Sequence, residues 1–532
     1  MTMKEATKWD EYFRTPNPGL RAYFKHVEAG SSEVIRTPFY KNKKPEAVLK
    51  DWMKQLAPLK HAWPTLFQFE VDLSKKVGPM SVMKPLSKRM DDIEAYYAAA
   101  HDEKAESIDA KAVDALLHEW RSIAGLRVRS QTHTVQEMKK STNSGSPYFT
   151  KRKAVVDKTV PVILSHGERD TIQRLGVNTP NASTWNACAV LGWRGQEGGP
   201  NPEDVKQRVV WMFPFAVNIA ELQVYQPLIA AVQRKNLVPA WVSMDQVDMA
   251  ITNMFDTKPK NDIVLCTDFT AFDQHFGKPM QEVAECVLDH IFSGQEMNNW
   301  LKEVFPIKYD IPMAYNYGKI RFGSHGMASG SGGTNADETI SHRALQYEAA
   351  IHNGADLNPY SQCLGDDGVL TYPGITVDQV VESYTRHGLE MNTSKQYAST
   401  TDCEYLRRWH HVDYRQNDIM VGVYATTRAL GRLMYQERFI EEHWGPIAVA
   451  LRQLSIIENV KYHPLREEFA AYCMKGDKFR LGLDIPHFLD RIEKHAAEMT
   501  DYMPDFLGYT KSMQKQTSIN DWWIVNFLKS KA

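Results

Sequence analysis

Apolar positions recur with helical spacing over much of the chain. Between residues 91 and 125, the segments IEAYYAAAHDEKA and AKAVDALLHEWRSIAG predict two helices, and Gly125 is expected to end the second at its C-terminal cap. The same spacing predicts a helix in MQEVAECVLDHIF and another that ends at Gly354. Beyond Met420 the pattern becomes mostly helical.

Two segments have the pattern of strands. DIVLCTDF, residues 262–269, contains a compact apolar run that predicts a buried strand ending at Asp268. In CLGDDGVLTYP, residues 363–373, a Gly-Asp-Asp-Gly turn separates two short apolar runs, which predicts a hairpin. A few strands among many helices indicate an α+β chain that is mostly helical overall.

Three segments are rich in basic or turn-forming residues. Residues 139–153 and 192–215 are expected to form basic loops, and residues 1–70 an extended arm with a short helix. This composition is typical of ordinary surface loops as well as of nucleic-acid contacts, so it assigns no function by itself.

Length and charge limit the class of protein. A chain of 532 residues is expected to form more than one core. With 63 basic and 65 acidic residues it is not uniformly basic, although a local basic channel remains compatible with this balance. The six cysteines include no CxxC pair, which argues against a disulfide framework or a zinc site. No signal peptide or membrane span is recognised, and we expect a soluble protein.

Four carboxylates are candidates for chemistry. Asp268 ends the predicted strand, Asp273 follows five residues later, and Asp366 and Asp367 lie at the hairpin tip. If the strands are neighbours, Asp268 and Asp366 face one another, which is costly unless a cation lies between them. Mg²⁺ prefers such oxygen ligands, and two ions about 3.5–4 Å apart would suit phosphoryl transfer. Each element alone is explained equally well by a turn or a helix cap; their combination favours nucleotidyl transfer.

The order of three motifs carries a resemblance to a known family. DFTAFD, SGSGGT and GDD occur in sequence, each at a suitable secondary structure, and resemble motifs A, B and C of viral RNA-dependent RNA polymerases. STNSGSPYF and KQR are similar to motifs G and F, and GLEMNTSKQY and CEYLRRWHH to motifs D and E, so that the resemblance covers roughly residues 140–411. The residues within these motifs are most similar to those of picobirnavirus polymerases, with partitivirus polymerases next.

The resemblance implies a right-hand polymerase with fingers, a palm containing a small antiparallel sheet, and a helical thumb. The expected segments are an N-terminal arm bridging fingers and thumb (1–70), fingers (71–246 and 279–322), palm (247–278 and 323–413) and thumb (414–532). It also implies Mg²⁺, which Mn²⁺ can replace, together with NTPs, an RNA template, nascent RNA and a viral capsid protein as partners. The expected location is the virion interior or the host cytoplasm.

The family pattern also implies residue roles. Asp268 and Asp366 would bind both metal ions, with Asp367 as a supporting ligand, and Asp273 would bind the ribose 2′-hydroxyl. Lys395 is the candidate general acid, although an ordinary surface lysine explains it equally well. The other residues implied are Ser329, Gly330, Thr334, Asn335, Lys206 and Arg208 for the nucleotide, and Ser144, Gly145, Ser146, Pro147, Arg407 and Arg408 for template and primer.

One position departs from the family. The pattern SGxxxTxxxN places Asn at 338, where this chain has Glu338, so the partner in sugar selection is open; Asn335 is a substitute to consider.

The function implied is template-directed RNA synthesis, replicating and transcribing a viral, double-stranded RNA genome. The alternatives are a reverse transcriptase-like polymerase and a non-catalytic, capsid-associated RNA-binding protein. Gly365 and Asp273 favour a polymerase that copies RNA into RNA.

Overall fold

A computed structural model describes residues 9–13, 17–166, 173–177, 184–438, 444–500 and 518–532. Parts of the predicted arm and thumb, including residues 1–8 and 501–517, therefore lie outside the described residues. The chain forms two compact units. The first comprises Met1–Ala29, Pro85–Trp193 and Val209–Cys403, and the second Gly30–Lys84, Arg194–Arg208 and Glu404–Ala532. The assignment of segments to arm, fingers, palm and thumb stays a prediction.

Helices dominate both units. The α-helices are Pro18–Ala29, Pro45–Gln55, Leu59–Ala62, Pro64–Ser74, Met90–Ala100, Ala110–Glu119, Gln131–Glu137, Val156–Thr159, Phe215–Lys235, Pro239–Val242, Met244–Thr257, Phe272–His275, Lys278–Ile291, Gln295–Glu303, Ile307–Asp310, Thr334–His352, Val377–Thr385, Thr426–Met434, Pro446–Glu458, Arg466–Gly476, Ile492–Met499 and Trp523–Lys529. Short 3-10 helices occupy Leu86–Lys88, Arg121–Ile123, Arg152–Ala154, Pro202–Asp204, Thr393–Lys395, Arg480–Gly482 and Ile519–Asp521.

The strands are short. They are β1 (Val162–His166), β2 (Gln173–Val177), β3 (Thr184–Asn186), β4 (Ala189–Gln196), β5 (Lys206–Met212), β6 (Val264–Thr267), β7 (Met313–Asn316), β8 (Lys319–Arg321), β9 (Gln362–Leu364), β10 (Asp367–Leu370), β11 (Tyr397–Ser399), β12 (Asp402–Tyr405), β13 (Arg408–His411) and β14 (Val423–Tyr424). The expected α+β, mostly helical fold is confirmed.

One small antiparallel sheet lies at the centre of the first unit. Its strand order is β11–β6–β10–β9, and all four residues of β6 are buried. The helix Thr334–His352 packs on β9 and on the helices Ala110–Glu119 and Lys278–Ile291. Because neighbours surround it, this helix is buried on nearly every face, from Ala336 to Ala350. It therefore forms the rigid support against which the sheet is held.

Several elements differ from the sequence-based expectation. The helix expected to end at Gly125 ends at Glu119, because the chain turns through Arg121–Ile123 before Gly125 adopts its left-handed φ of 90°. Residues 192–215 are not one loop: β4 and β5 occupy both of its ends, since the apolar stretch RVVWMF supports a strand.

Among the described residues, one helix is long and apolar enough to span a membrane by length and composition alone. The helix Phe215–Lys235 meets that test, but 67% of its apolar window is buried inside the protein. It also carries Glu221, which is fully buried and hydrogen-bonded within the first unit. These are properties of a core helix in a folded unit.

A buried charge network lies beneath the glycine-rich segment that precedes Thr334. The Asp337 carboxylate accepts hydrogen bonds from the hydroxyls of Tyr225 (2.7 Å) and Tyr309 (2.6 Å), and lies 3.1 Å from Lys308 Nζ. The side chains of Lys308 and Asp337 are both fully buried. Burial and the Asp337 charge raise the pKa of both tyrosines, which keeps their hydroxyls available as donors. The network thus compensates one buried carboxylate completely.

We predict that Lys308→Met lowers the stability of the first unit by about 3–5 kcal/mol, because Asp337 then remains buried without its cation. The measurement is the denaturant midpoint followed by tryptophan fluorescence. The control is Lys302→Met, an exposed neighbour, expected to change stability by less than about 0.5 kcal/mol. Equal effects of the two substitutions would contradict the assignment.

Candidate active site

The acidic residues lie at one edge of the central sheet. Gly368 of β10 pairs with Thr267 of β6, so the next residue on each strand, Asp367 and Asp268, continues the same register at that edge. Asp366 forms, with Gly365, the two-residue turn between β9 and β10. The side chains of the three aspartates are exposed. The prediction that the two acidic strands are neighbours is confirmed.

The turn that carries Asp366 is held by the helix Thr334–His352. The Gly365 N–H donates to Thr339 Oγ1 at 3.0 Å, and the Gly365 carbonyl accepts from His342 Nδ1 at 2.8 Å. Burial lowers the pKa of His342 to about 4, so the ring is neutral, and Nδ1 carries the hydrogen because a carbonyl can only accept. Gly365 has a φ of 58°, which favours glycine. We call this arrangement the Gly365 clamp.

The end of β6 is fixed by a glutamine that the sequence did not single out. The Asp268 N–H donates to Gln396 Oε1 at 2.8 Å, and Gln396 Nε2 donates to the Asp268 carbonyl at 2.9 Å. Gln396 is supplied by the segment leading into β11, the other neighbour of β6. Lys395 precedes Gln396 and is exposed. The candidate general acid therefore lies next to a residue anchored at Asp268.

Asp273 is placed by close packing against the segment before the glycine-rich loop. It lies in the short helix Phe272–His275, and its carbonyl accepts from the Met327 N–H at 2.8 Å. A Cβ at Gly326 would lie 2.4 Å from that carbonyl oxygen. Glycine at 326 therefore permits an approach that a larger residue would prevent.

Glu338 is the partner of Asp273. Its side chain is 5% exposed, and its carboxyl group is hydrogen-bonded to that of Asp273. Burial raises the pKa of Glu338 well above its ordinary value, and the negative charges of Asp273 and Asp366 raise it further. A Cβ at Gly365 would lie 3.3 Å from Glu338 Oε2, so Glu338 also adjoins the catalytic turn. From the sequence, position 338 was recognised only as a departure from the motif B pattern.

The carboxylate oxygens at this edge suit a magnesium site whose coordination the bound substrate would complete. Among the residues that the structure describes, no group of three or more His, Cys, Asp or Glu side chains could hold a metal ion. Mg²⁺ is, however, commonly held by one or two carboxylates together with substrate phosphates and water. The exposed side chains of Asp268 and Asp366 fit that coordination.

Comparison with known proteins decides the family. The sequence model described as viral RNA-dependent RNA polymerase matches residues 75–439. The chain belongs to this family. It is 59% identical to a potential RNA-dependent RNA polymerase of human picobirnavirus (strain Human/Thailand/Hy005102/-), over 98% of each chain.

Solved structures agree with this assignment. The crystal structure of the RNA-dependent RNA polymerase of a human picobirnavirus matches all of both chains at 56% identity and a TM-score of 0.93. That of its insertion loop deletion mutant matches with a TM-score of 0.92. The expected fold class, picobirnavirus resemblance and RNA-directed RNA polymerase activity are confirmed. The alternatives of a reverse transcriptase and a non-catalytic capsid-associated protein were wrong.

In this polymerase, the motif B residues hold their own loop. The Ser329 hydroxyl accepts from the Trp211 N–H at 3.4 Å, and a Cβ at Gly330 would lie 1.6 Å from the Trp211 carbonyl oxygen. Thr334 is the first residue of its helix, and its hydroxyl lies within hydrogen-bond distance of the Ala328 and Ser331 carbonyls. Because Gly330 has no side chain, the backbone of the loop can pack directly against the backbone of β5.

Two further side chains secure this loop. Glu221 accepts from the Gly332 N–H at 3.0 Å and from the Ser331 hydroxyl. Asn335, considered as a substitute for the missing asparagine, accepts from Trp241 Nε1 at 2.8 Å. The side chain that reaches Asp273 is Glu338 instead.

The motif G residues are largely buried. Ser144 and Ser146 are 1% and 2% exposed, and Ser144 bonds through its backbone to Thr150 and Phe215. A Cβ at Gly145 would lie 2.4 Å from the Phe213 carbonyl oxygen, while Pro147 is half-buried. The side chains of Ser144 and Ser146 therefore shape the loop, and the exposed side chains of Lys151 and Lys153 follow in the same segment. The template-binding role of the loop stays a prediction.

The basic motif F and E residues belong to the second unit. Lys206 and Arg208 are exposed on one face of β5, because they are two positions apart on a strand. Arg407 is exposed at a turn with a φ of 63°. Arg408 is 8% exposed and donates to the Gly422 carbonyl at 3.2 Å, so its guanidinium is committed to packing.

We predict that Thr339→Val lowers the rate of NTP incorporation about tenfold, because the Gly365 N–H then loses its acceptor at a cost of roughly 1–3 kcal/mol. Thr339→Ser, which keeps the hydroxyl, is the matched control and is expected to retain most activity. The measurement is RNA synthesis on a short RNA template. Valine and serine variants of equal activity would show that the clamp does not position the turn.

Proposed function

We propose that this polymerase joins nucleotides by two-metal-ion transfer, with Asp268 and Asp366 as ligands of both ions and Asp367 as a supporting ligand. The observation that carries the proposal is the register of β6 and β10, which continues to the acidic residues at one sheet edge. Bound Mg²⁺, or Mn²⁺ in its place, supplies the charge that stabilises the attacking and leaving oxygens. The Gly365 clamp and Gln396 hold the two acidic chain segments in place for this task.

The neighbouring residues take part in substrate selection and proton transfer. Asp273 accepts a hydrogen bond from the ribose 2′-hydroxyl, the group that distinguishes ribonucleotides from deoxyribonucleotides. Lys395 donates a proton to the departing pyrophosphate, a role supported by its exposure and by its position beside Gln396.

Basic residues bind the triphosphate and RNA. Lys206 and Arg208 contact the incoming triphosphate, and Arg407 contacts the nascent strand. Lys151 and Lys153 contact the template backbone with salt-dependent affinity. As the motif resemblance implies, the polymerase replicates and transcribes a double-stranded RNA genome with a capsid protein as partner. Similarity to picobirnavirus polymerases supports a location in the virion interior or host cytoplasm.

The first test is Asp366→Asn. Loss of a ligand charge is expected to reduce NTP incorporation by about a thousandfold or more, since metal stabilisation contributes several kcal/mol. RNA affinity should change by less than about twofold, because phosphate contacts dominate it. Asp356→Asn, at an exposed loop position, is the control. A variant at 366 that still polymerises at the normal rate would exclude the assigned metal ligand.

The second test is Asp273→Ala. Removal of the ribose contact is expected to lower the preference for rNTP over dNTP about tenfold or more. The preference is measured as the ratio of kcat/KM for the two substrates, with the exposed Asp289→Ala as control. Unchanged preference would mean that another group recognises the sugar.

A further inference from the structure

Two loops of the first unit pack against the end of β5. They are the basic loop, residues 139–153, and the motif B loop, residues 329–333. A Cβ at Gly330 would lie 1.6 Å from the Trp211 carbonyl oxygen, and a Cβ at Gly145 would lie 2.4 Å from the carbonyl oxygen two residues further along the chain. The two loops therefore lie close to the start of the helix that follows β5.

Asn218 reaches both loops from the helix Phe215–Lys235. Its side chain is 5% exposed. The Oδ1 atom accepts from Arg152 Nη2 of the basic loop at 2.8 Å, and the Nδ2 atom donates to the Gly330 carbonyl of the motif B loop at 3.1 Å. Because a guanidinium only donates and a carbonyl only accepts, these partners fix the orientation of the amide. An amide suits the position since it offers an acceptor to one loop and a donor to the other.

Glu221, one turn later on the same helix, secures the motif B loop further. It is fully buried, and its Oε1 atom accepts from Asn218 Nδ2 at 3.1 Å and from the Gly332 N–H at 3.0 Å. Its Oε2 atom accepts from the Ser331 hydroxyl, which in turn accepts from the Gly333 N–H at 3.0 Å. Three consecutive residues of the motif B loop are thus held by two side chains of one helix.

Arg152 connects the basic loop to this arrangement. Its Nη1 atom donates to the Lys139 carbonyl at 3.4 Å, so its guanidinium joins the two ends of the basic loop. The guanidinium also lies over the Phe215 ring, 5.3 Å from the ring centroid. Its side chain is therefore engaged with protein groups, whereas the side chain of the neighbouring Lys153 is exposed.

We propose that Arg152, Asn218 and Glu221 form a bridge that couples the basic loop to the motif B loop during nucleotide addition. We call it the Asn218 bridge. A movement of the basic loop displaces Arg152, and the amide that holds Arg152 also holds the Gly330 carbonyl. The inference rests on the proposed contact of the basic loop with the template. All three are positioning residues, because they act through the backbone of the two loops.

The direct test is a double-mutant cycle on RNA extension. Arg152→Met and Asn218→Leu each break the bridge, and each is expected to slow single-nucleotide extension about tenfold, as for a lost hydrogen bond between buried groups. Extension is measured on a preassembled complex with RNA at saturating NTP, so that inactive protein does not contribute. The double variant should lie within about twofold of the slower single variant, because no bridge is left to break. A loss of about a hundredfold, the product of two independent effects, would overturn the proposal.

Two matched substitutions separate the bridge from RNA binding. Arg234→Met, at an exposed position near the end of the same helix, should leave the extension rate within about twofold of the wild type. Arg152→Met should leave RNA affinity within about twofold, whereas Lys153→Met, which removes a proposed template contact, should lower the affinity and its salt dependence. If Arg152→Met weakens RNA binding as much as Lys153→Met, Arg152 is an RNA contact and the bridge is wrong.

Asn218→Asp keeps the test decisive if the leucine variant does not fold. Aspartate retains the acceptor for Arg152 but has no donor for Gly330, so extension should again slow about tenfold. Normal extension by this variant or by Arg152→Met would overturn the bridge. Unchanged RNA affinity in Lys153→Met would instead exclude the proposed template contact, and the bridge would then have no template movement to transmit.

Discussion

The Gly365 clamp is the constraint on which the active site depends. A two-residue turn at a sheet edge has few contacts of its own, yet this one carries Asp366, the carboxylate that we propose as a metal ligand. The Gly365 N–H donates to Thr339 and the Gly365 carbonyl accepts from His342, which attaches the turn to a helix that is buried on nearly every face. The position of Asp366 therefore follows from the packing of that helix and not from local turn geometry.

The helix Thr334–His352 also carries two buried acidic residues next to the site. Asp337 on its inner side is compensated by Lys308 and two tyrosine hydroxyls. Glu338, one residue later, faces Asp273 and has its pKa raised by burial and by the surrounding carboxylates. Asp337 is paired with a cation, and burial together with the neighbouring carboxylates disfavours the charged form of Glu338, whereas the side chains of Asp268 and Asp366 are exposed.

The sequence was sufficient to predict the elements that carry Asp268, Asp366 and Asp367. The strand expected to end at Asp268 ends at Thr267, and the hairpin and the helix ending before Gly354 are where they were predicted. Short apolar runs bounded by turn residues, and motifs in a fixed order, contain enough local information for this.

Other features depended on contacts between distant residues. The bonds from Thr339 and His342 to Gly365, and from Gln396 to Asp268, have no local signature, because each joins elements far apart in sequence. The burial of the Ser144 side chain could not be predicted from the sequence, because polar composition does not reveal burial. The strands in residues 192–215 were missed since the glycines and prolines between them dominated the pattern.

The proposed roles of Asp268 and Asp366 as ligands of the metal ions of nucleotidyl transfer can be tested in crystals. The most direct measurement is anomalous diffraction from crystals of the polymerase containing RNA, Mn²⁺ and a non-hydrolysable NTP. We expect two peaks about 3.5–4 Å apart, both within coordination distance of Asp268 and Asp366 oxygens. Ordered NTP and RNA with Mn²⁺ peaks that lie elsewhere, or that persist unchanged in Asp366→Asn, would contradict it.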